Sequence, residues 1–503
     1  MNLPARIASA VAGTLLGCSI APTASAGVAR TTDWWQPNSA RTFPGALAYP
    51  DSTGTIEILN LRGPTDTNGN AFFTAIGTNG RACVTCHQPA DAMSLSVDTI
   101  DGRWRATDGE DPLFAAIDGS DCPSLPQKLR SSHSLLLRHG LFRIARPWPP
   151  RDAAGRAIEP EFTIEVVRDP TGCNIDPGYG LHSAHPMISV FRRPRPATNL
   201  KYVTAVGFTF EPKTGLPLPI DPETGLRMSG NLLADARAGT LKAQAIDAMR
   251  SHLQIRGEPD PGELAGILEF ETGLYSAQSA DAVGGSLTAA GAQGGPLELA
   301  AAKPGELNHP GKPQWSEYSA WAEPGSGGGS SSASEKAFRA SVLRGIAVFT
   351  KRTFLVNDSA GLNSMNFGNP VRNSCNFCHN MNRTGMDVAP GQVDLGTTNE
   401  PRADPQPDLP LFKLTCKPQY PPHPFLGRVV YTHDPGYALT TGRCADIGKI
   451  TIQSLRGLAA RPPYFSNGSA RTIRDVVDFY DRRYQIGLTE REKQDLTNFL
   501  SVL

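Results

Sequence analysis

Residues 81–89 read RACVTCHQP and residues 374–381 read SCNFCHNM, so the group Cys83, Cys86, His87 recurs as Cys375, Cys378, His379. Two thiols three positions apart lie on neighbouring faces of one helical turn, where they can form thioethers with the two vinyl edges of one porphyrin. The histidine that follows then sits under the iron as its proximal ligand. Zinc competes for such residues, but its cysteine pairs stand roughly 15–20 residues apart or have histidine partners close by. Here most of the chain separates the pairs. A thioredoxin-like redox pair needs a strand, helix, strand setting and leaves both histidines without a reason. The spacing therefore predicts two covalently bound haem c groups, one on Cys83, Cys86 and His87, the other on Cys375, Cys378 and His379.

The segments that must hold these motifs are GNAFFTAIGTNG before the first and EKAFRASVLRGIAVFTKRTF before the second. Both show the apolar spacing of an amphipathic helix. The expected fold class is mainly α: two cytochrome c-like haem domains with long loops, and a small β insertion in the first. FTIEVVRD, MISVFRRPRP and KYVTAVGFTF alternate or cluster β-branched residues, which puts that insertion at about 151–225. Residues 284–295 and 325–334 carry too little apolar content to pack. A Gly/Ser-rich linker is expected over 284–334, between an N-terminal haem domain (27–283) and a C-terminal one (335–503).

The chain of 503 residues has 48 Lys plus Arg against 48 Asp plus Glu. No net charge drives it toward nucleic acid or an anionic membrane. Its start, MNLPARIASAVAGTLLGCSIAPTASAG, has one Arg, an apolar run and Ala24-Ser25-Ala26 before Gly27. It reads as a secretory signal over 1–26, which puts the protein in the periplasm. A lipid anchor through Cys18, in LLGC, is the alternative, and no stretch is apolar for long enough to span a bilayer. Apart from Cys18 and the motifs, Cys122, Cys173, Cys416 and Cys444 remain. In an oxidising compartment proximity pairs Cys122 with Cys173 and Cys416 with Cys444; four buried free thiols are the alternative.

From Ile452 the chain resembles the C-terminal haem domain of the bacterial di-haem cytochrome c peroxidase and MauG superfamily. The matching elements are Ser454-Leu455-Arg456, the turn from Pro463-Tyr464-Phe465 to Gly468, and a closing helix after Leu488-Thr489. A second match, LADARAGTLKAQAIDAMRSHLQ at 233–254, is similar to the stretch where those enzymes keep their distal pocket. The resemblance implies an open first haem that binds peroxide or dioxygen and a second haem that relays or stores charge. Tyr480 falls where the peroxidases place an axial methionine and MauG an axial tyrosine. Met365, Met381 and Met386 are the other candidate ligands.

The distal side departs from the family. Gln244 falls on the pocket glutamine, but Gln254 stands where a glutamate would be the general acid or base, and Ala234 where a tryptophan would link the haems. His252 is a candidate substitute, and Trp104, Trp148, Trp315 or Trp321 could serve the inter-haem route. His133, His139, His182 and His185 are further candidates for a sixth ligand on the first haem. The implied activity is a periplasmic di-haem oxidoreductase that takes electrons from a small redox protein, a cytochrome c or cupredoxin, and passes them to peroxide or dioxygen. An oxygenase resembling the di-haem rubber oxygenases and a plain electron-transfer cytochrome are the alternatives. A calcium ion between the domains is left open by the resemblance.

Overall fold

The computed structural model describes residues 34–152, 154–206, 216–304, 315–323, 331–365, 367–385 and 391–503. The expected signal with Cys18, Met386, and most of the stretch 325–334 lie outside the described residues. The expectation of a mainly α chain is overturned. The described residues are 30% helix and 19% strand, spread over several sheets, and no cytochrome c-like haem domain fold is shown.

The reason lies in strand partners that no local pattern announces. A four-stranded antiparallel sheet runs in the order Ala46–Pro50, Gly54–Asn60, Leu274–Asp281, Gly285–Ser286. Its first hairpin is closed by Asp51, whose Oδ1 accepts from the backbone N–H of Thr53 and Gly54 at 2.8 and 2.9 Å, the Asx geometry that favours Asp at a turn. Its fourth strand comes from the stretch read as linker, and the helix Pro296–Ala301 follows it.

Phe162–Arg168 shows the alternation of FTIEVVR, with Phe162 and Ile164 buried between exposed Thr163 and Glu165. It pairs with Leu411–Cys416, setting Phe162 opposite Cys416, Ile164 opposite Leu414 and Val166 opposite Phe412, and Val429–Thr432 completes the sheet. Segments from the two halves of the chain thus share one core, which also takes Ile188 and Val190 from Met187–Arg192. The Cys416–Cys444 disulfide staples it, and a second joins Cys122 to Cys173, the two pairs that proximity suggested. The third run read as strand, KYVTAVGFTF, begins instead as a short helix, Leu200–Val203.

Residues 69–80, expected to be helical, form turns, with Gly69 and Gly80 at positive φ. Phe72 and Phe73 leave those turns to join Phe43 and Phe270 in an aromatic cluster with centroids 4.8–5.7 Å apart. Aromatic burial decided this segment, not helical periodicity.

The helix expected before the second motif is present as Ala333–Lys351, and it packs on Glu490–Ser501, which also meets Ile473–Tyr484. Each begins with a reciprocal capping box: Ser332 with Glu335, Thr472 with Asp475, Thr489 with Glu492. At the crossing of the first two, a Cβ on Gly345 would overlap the Asp495 carbonyl oxygen and stand 2.7 Å from Phe499 Cβ.

Gly345→Ala in an isolated helix would stabilise by roughly 1 kcal/mol. At this crossing the overlap dominates, and overpacking of this kind costs about 1–3 kcal/mol. The variant is expected to melt below the parent in a thermal scan; a higher melting temperature would mean that the helices separate without penalty.

Candidate functional site

The first motif lies on a single 3-10 turn, Cys83–Thr85, with the N–H of Cys86 and His87 donating to the Cys83 carbonyl at 3.2 and 3.1 Å. Both thiols are half-buried and unpaired with each other. Burial pushes the Cys83 thiol well up and the Cys86 thiol up to about 11, so both stay protonated. Just after it, Ala92 and Met93 adopt φ of 53° and 59°. This left-handed bend returns the Met93 carbonyl to His87, whose Nδ1–H donates to it at 2.9 Å. Nε2 is thereby left as the basic nitrogen, and burial holds the ring below its usual range and neutral.

Arg81, fully buried, ties the motif to its surroundings through the carbonyls of Pro112 and Leu113, both at 2.7 Å, and through the Asp118 carboxylate. The other oxygen of Asp118 accepts from Nδ1 of His252. Burial alone would raise Asp118, but Arg81 and His252 outweigh it and hold the carboxyl below the ordinary range. His252 follows the helix Leu241–Ser251, which is capped by the Thr240 side chain accepting from the Ala243 N–H at 3.0 Å. Cys83, Cys86, His87, Arg81, Asp118 and His252 all line one cavity of about 210 Å³, and Gln244 lines it too. Gln254 does not. It sits at φ 56°, where its carbonyl accepts from the Thr78 hydroxyl at 3.2 Å.

One residue of this cavity escaped the sequence reading. Glu271 lines it at 6% exposure, and its Oε1 has no hydrogen-bond partner among the described residues. Burial pushes its carboxyl up to about 8. A signal was present: Leu264, Ile267 and Glu271 lie three and four positions apart on the inner face of the helix Pro261–Thr272, so an acid occupied an apolar stripe.

The second motif repeats the device. The helix Cys375–Cys378 carries the thiols, the His379 N–H donates to the Cys375 carbonyl, and His379 Nδ1–H donates to the Gly385 carbonyl, both at 2.9 Å. Thr384 and Gly385 have φ of 60° and 82°. Burial again keeps the imidazole neutral and pushes the Cys375 thiol up to about 12. Tyr480, on the helix Ile473–Tyr484, places its hydroxyl 3.3 Å from His379 Nε2, and burial drives its phenol well above the usual range. Cys375, Cys378, His379 and Tyr480 line a second, mostly apolar cavity of about 190 Å³ with Phe349, Val393, Ile452, Val477 and Leu500.

Arg193, Pro194, Gln453 and Ser454 line both cavities and form the wall between them. Ala234 lines the first. Neither cavity is lined by Trp104, Trp148, Trp315 or Trp321, which pack against Phe114, Phe162, Phe499 and Tyr318 respectively. Met365 and Met381 are likewise not part of the second cavity, and Met381 is buried in the helical core. His133 bonds the carbonyls of Gly119 and Gln127, His139 faces Asp408, and His182 and His185 are exposed; none lines the first cavity. Among the described residues no group of three or more His, Cys, Asp or Glu could hold a metal ion, and no helix is long and apolar enough to cross a membrane.

Over 81 residues the chain is 37% identical to the cytochrome-c peroxidase IdrP1 of Denitromonas iodatirespirans, covering 14% of this chain and 22% of that protein. It is 36% identical over 81 residues to the cytochrome-c peroxidase IdrP1 of Pseudomonas sp. (strain SCT), covering 14% and 21%. The chain spans about a fifth of the length of these relatives. The likeness supports a cytochrome c peroxidase-like kinship over that part alone. No family model matches the chain, and no solved structure matches it.

Glu271 has a consequence for stability. Its carboxyl rises from 4.5 to about 8 on folding, so between these values the folded chain keeps a proton that the unfolded chain releases. Its stabilising contribution is full below pH 4.5 and is lost as pH rises to about 8. The melting-temperature gap between the parent and Glu271→Gln is therefore expected to shift against the parent from pH 5 to pH 8. Parallel curves would mean that the carboxyl is not held protonated.

Proposed function

We propose that the chain is an exported di-haem c-type oxidoreductase of the cytochrome c peroxidase kind, with an open haem on His87 and a relay haem on His379. The observation that carries this reading is the duplicated device. In each half two thiols and a neutral histidine, anchored by Nδ1 on a backbone carbonyl, line one cavity, and the two cavities share a wall. The residues fit the group: thiols outside both disulfides supply the thioether positions, and Nε2 supplies the proximal nitrogen. A haem iron, when bound, supplies one-electron chemistry and, where its sixth position is open, a site for peroxide.

The chain's own residues then divide the remaining work. In the first cavity Asp118 accepts from His252 Nδ1, so Nε2 is the atom of that ring that takes up or gives a proton. Gln244 offers an amide to orient an oxygen substrate. Glu271 adds a carboxyl whose raised range lets it hold and release a proton near neutral pH. Reduction of peroxide to two waters needs two protons as well as two electrons, and these side chains favour that reaction over the oxygenase alternative. In the second cavity Tyr480 faces His379 Nε2 and would help to hold the second haem through its phenolic oxygen, while burial keeps its phenol well above the usual range. The electrons are assigned to a small redox protein. The two disulfides agree with an oxidising compartment such as the periplasm.

Mass measurement of the exported polypeptide is expected to find two added haems, and Cys375→Ala/Cys378→Ala one. Peroxide should be consumed when a reduced cytochrome c is supplied, and the resting protein should give a high-spin paramagnetic resonance signal. A polypeptide of unmodified mass would sink the reading. Separately, Tyr480→Phe is expected to change the absorption and resonance spectra of the second haem alone; unaltered spectra would remove Tyr480 as a ligand.

A further inference from the structure

Most buried arginines near the cavities have a carboxylate: Arg81 has Asp118, Arg103 has Asp111, Arg192 has Asp235 and Asp434, and Arg456 has Glu317. Three do not. Arg193 and Arg461 are each 7% exposed, and with half-buried Arg195 they have no acidic side chain in ion-pair reach among the described residues. Their hydrogen bonds go only to backbone carbonyls. Arg193 donates to those of Gly140 at 3.3 Å, Arg461 at 3.1 Å, and Leu95. Arg461 donates to Ser454 at 2.6 Å and Arg456 at 3.4 Å, and Arg195 to Thr451 at 2.9 Å, with its Nε enclosed and without a partner.

Carbonyl dipoles satisfy N–H groups but leave the charge in place, and burying a cation without an ion-pair partner is unfavourable. Burial accordingly lowers all three, Arg193 and Arg195 to about 9 and Arg461 to about 10. Their positions are informative. Arg195 lines the first cavity, Arg461 the second, and Arg193 both. The missing negative charge is therefore expected inside the cavities, on the side of their common wall.

We propose that Arg193, Arg195 and Arg461 form a carboxylate-receiving site between the two cavities, which takes the anionic edges of the groups bound in them. This rests on the di-haem reading, under which the carboxylates are haem propionates. Arg195 would hold those of the first haem, Arg461 those of the second, and Arg193 would be shared. Planar guanidinium forks suit carboxylates bidentately, and the site would turn both carboxylate edges toward the path between the haems. A buried cation beside a haem disfavours the oxidised, more positive iron, so each arginine also raises the potential of the haem it serves.

The test uses the full-length, haem-loaded protein with Arg195→Gln, Arg461→Gln and Arg193→Gln, followed by spectroelectrochemical titration and the propionate bending bands in resonance Raman spectra. Arg195→Gln is expected to lower the potential and shift the propionate band of the first haem alone. Arg461→Gln should do so for the second alone, and Arg193→Gln for both. Arg195→Lys, at the half-buried position that tolerates change best, should shift the band while keeping most of the potential, and it stands in if the buried variants fail to fold. Two haems per chain with unmoved bands and potentials in Arg195→Gln and Arg195→Lys overturn this inference and leave the proposed function standing. A chain without haem overturns the proposed function, and this site with it.

Discussion

The hydrogen bond from Nδ1 of each motif histidine to a carbonyl six residues later is the contact on which both cavities depend. It selects the tautomer and the ring orientation at once. Such a bond is worth only about 1 kcal/mol, and the left-handed residues that return the carbonyl cost a similar amount. The loops hold because the surrounding cores over-determine them. Leu455 packs where a Cβ on Gly385 would lie, and Ala92 and Met93 are wholly buried among the aromatic rings of the first half. Orientation of a metal-binding nitrogen is thus bought with apolar packing elsewhere.

Charge is the second constraint. Asp235, buried, collects Arg192 and Arg237 at 2.7 Å and Arg146 at 3.7 Å. Asp118 collects Arg81 and His252. Buried pairs of this kind add little net stability, yet removing one partner costs about 3–5 kcal/mol because the other is left unpaired. They therefore act as fasteners that hold the cavity walls in register. Against that background the guanidiniums of Arg193, Arg195 and Arg461 stand out as the cavity-lining arginines with no ion pair among the described residues.

The two halves of the chain are not separable at this wall. Arg195 donates to the Thr451 carbonyl and Arg193 to that of Arg461, while the strand Phe162–Arg168 is paired with Leu411–Cys416. The segment between the two motifs therefore frames both cavities. An electron passing between the cavities would cross Arg193, Pro194, Gln453 and Ser454, with no aromatic side chain from the four tryptophans at hand.

What the amino-acid order determined by itself is local. Thiols three positions apart on one turn, histidines beside them, capping boxes at Ser332, Thr472 and Thr489, and the neighbouring cysteine pairs all depend on spacings within a turn or on short loops. Tyr480 was singled out by the family resemblance, and folding sets its hydroxyl 3.3 Å from His379 Nε2. Folding decided the rest. The mainly α expectation failed because the partner of a strand such as Phe162–Arg168 lies far along the chain, and pairing is settled by shared burial that no local period encodes. Residues 69–80 became turns because Phe72 and Phe73 gain more in a cluster with Phe43 and Phe270 than a helix could return. Glu271 and Arg193 acquire meaning only from low-dielectric surroundings assembled from distant segments, since a charge declares itself a site when burial leaves it without a partner.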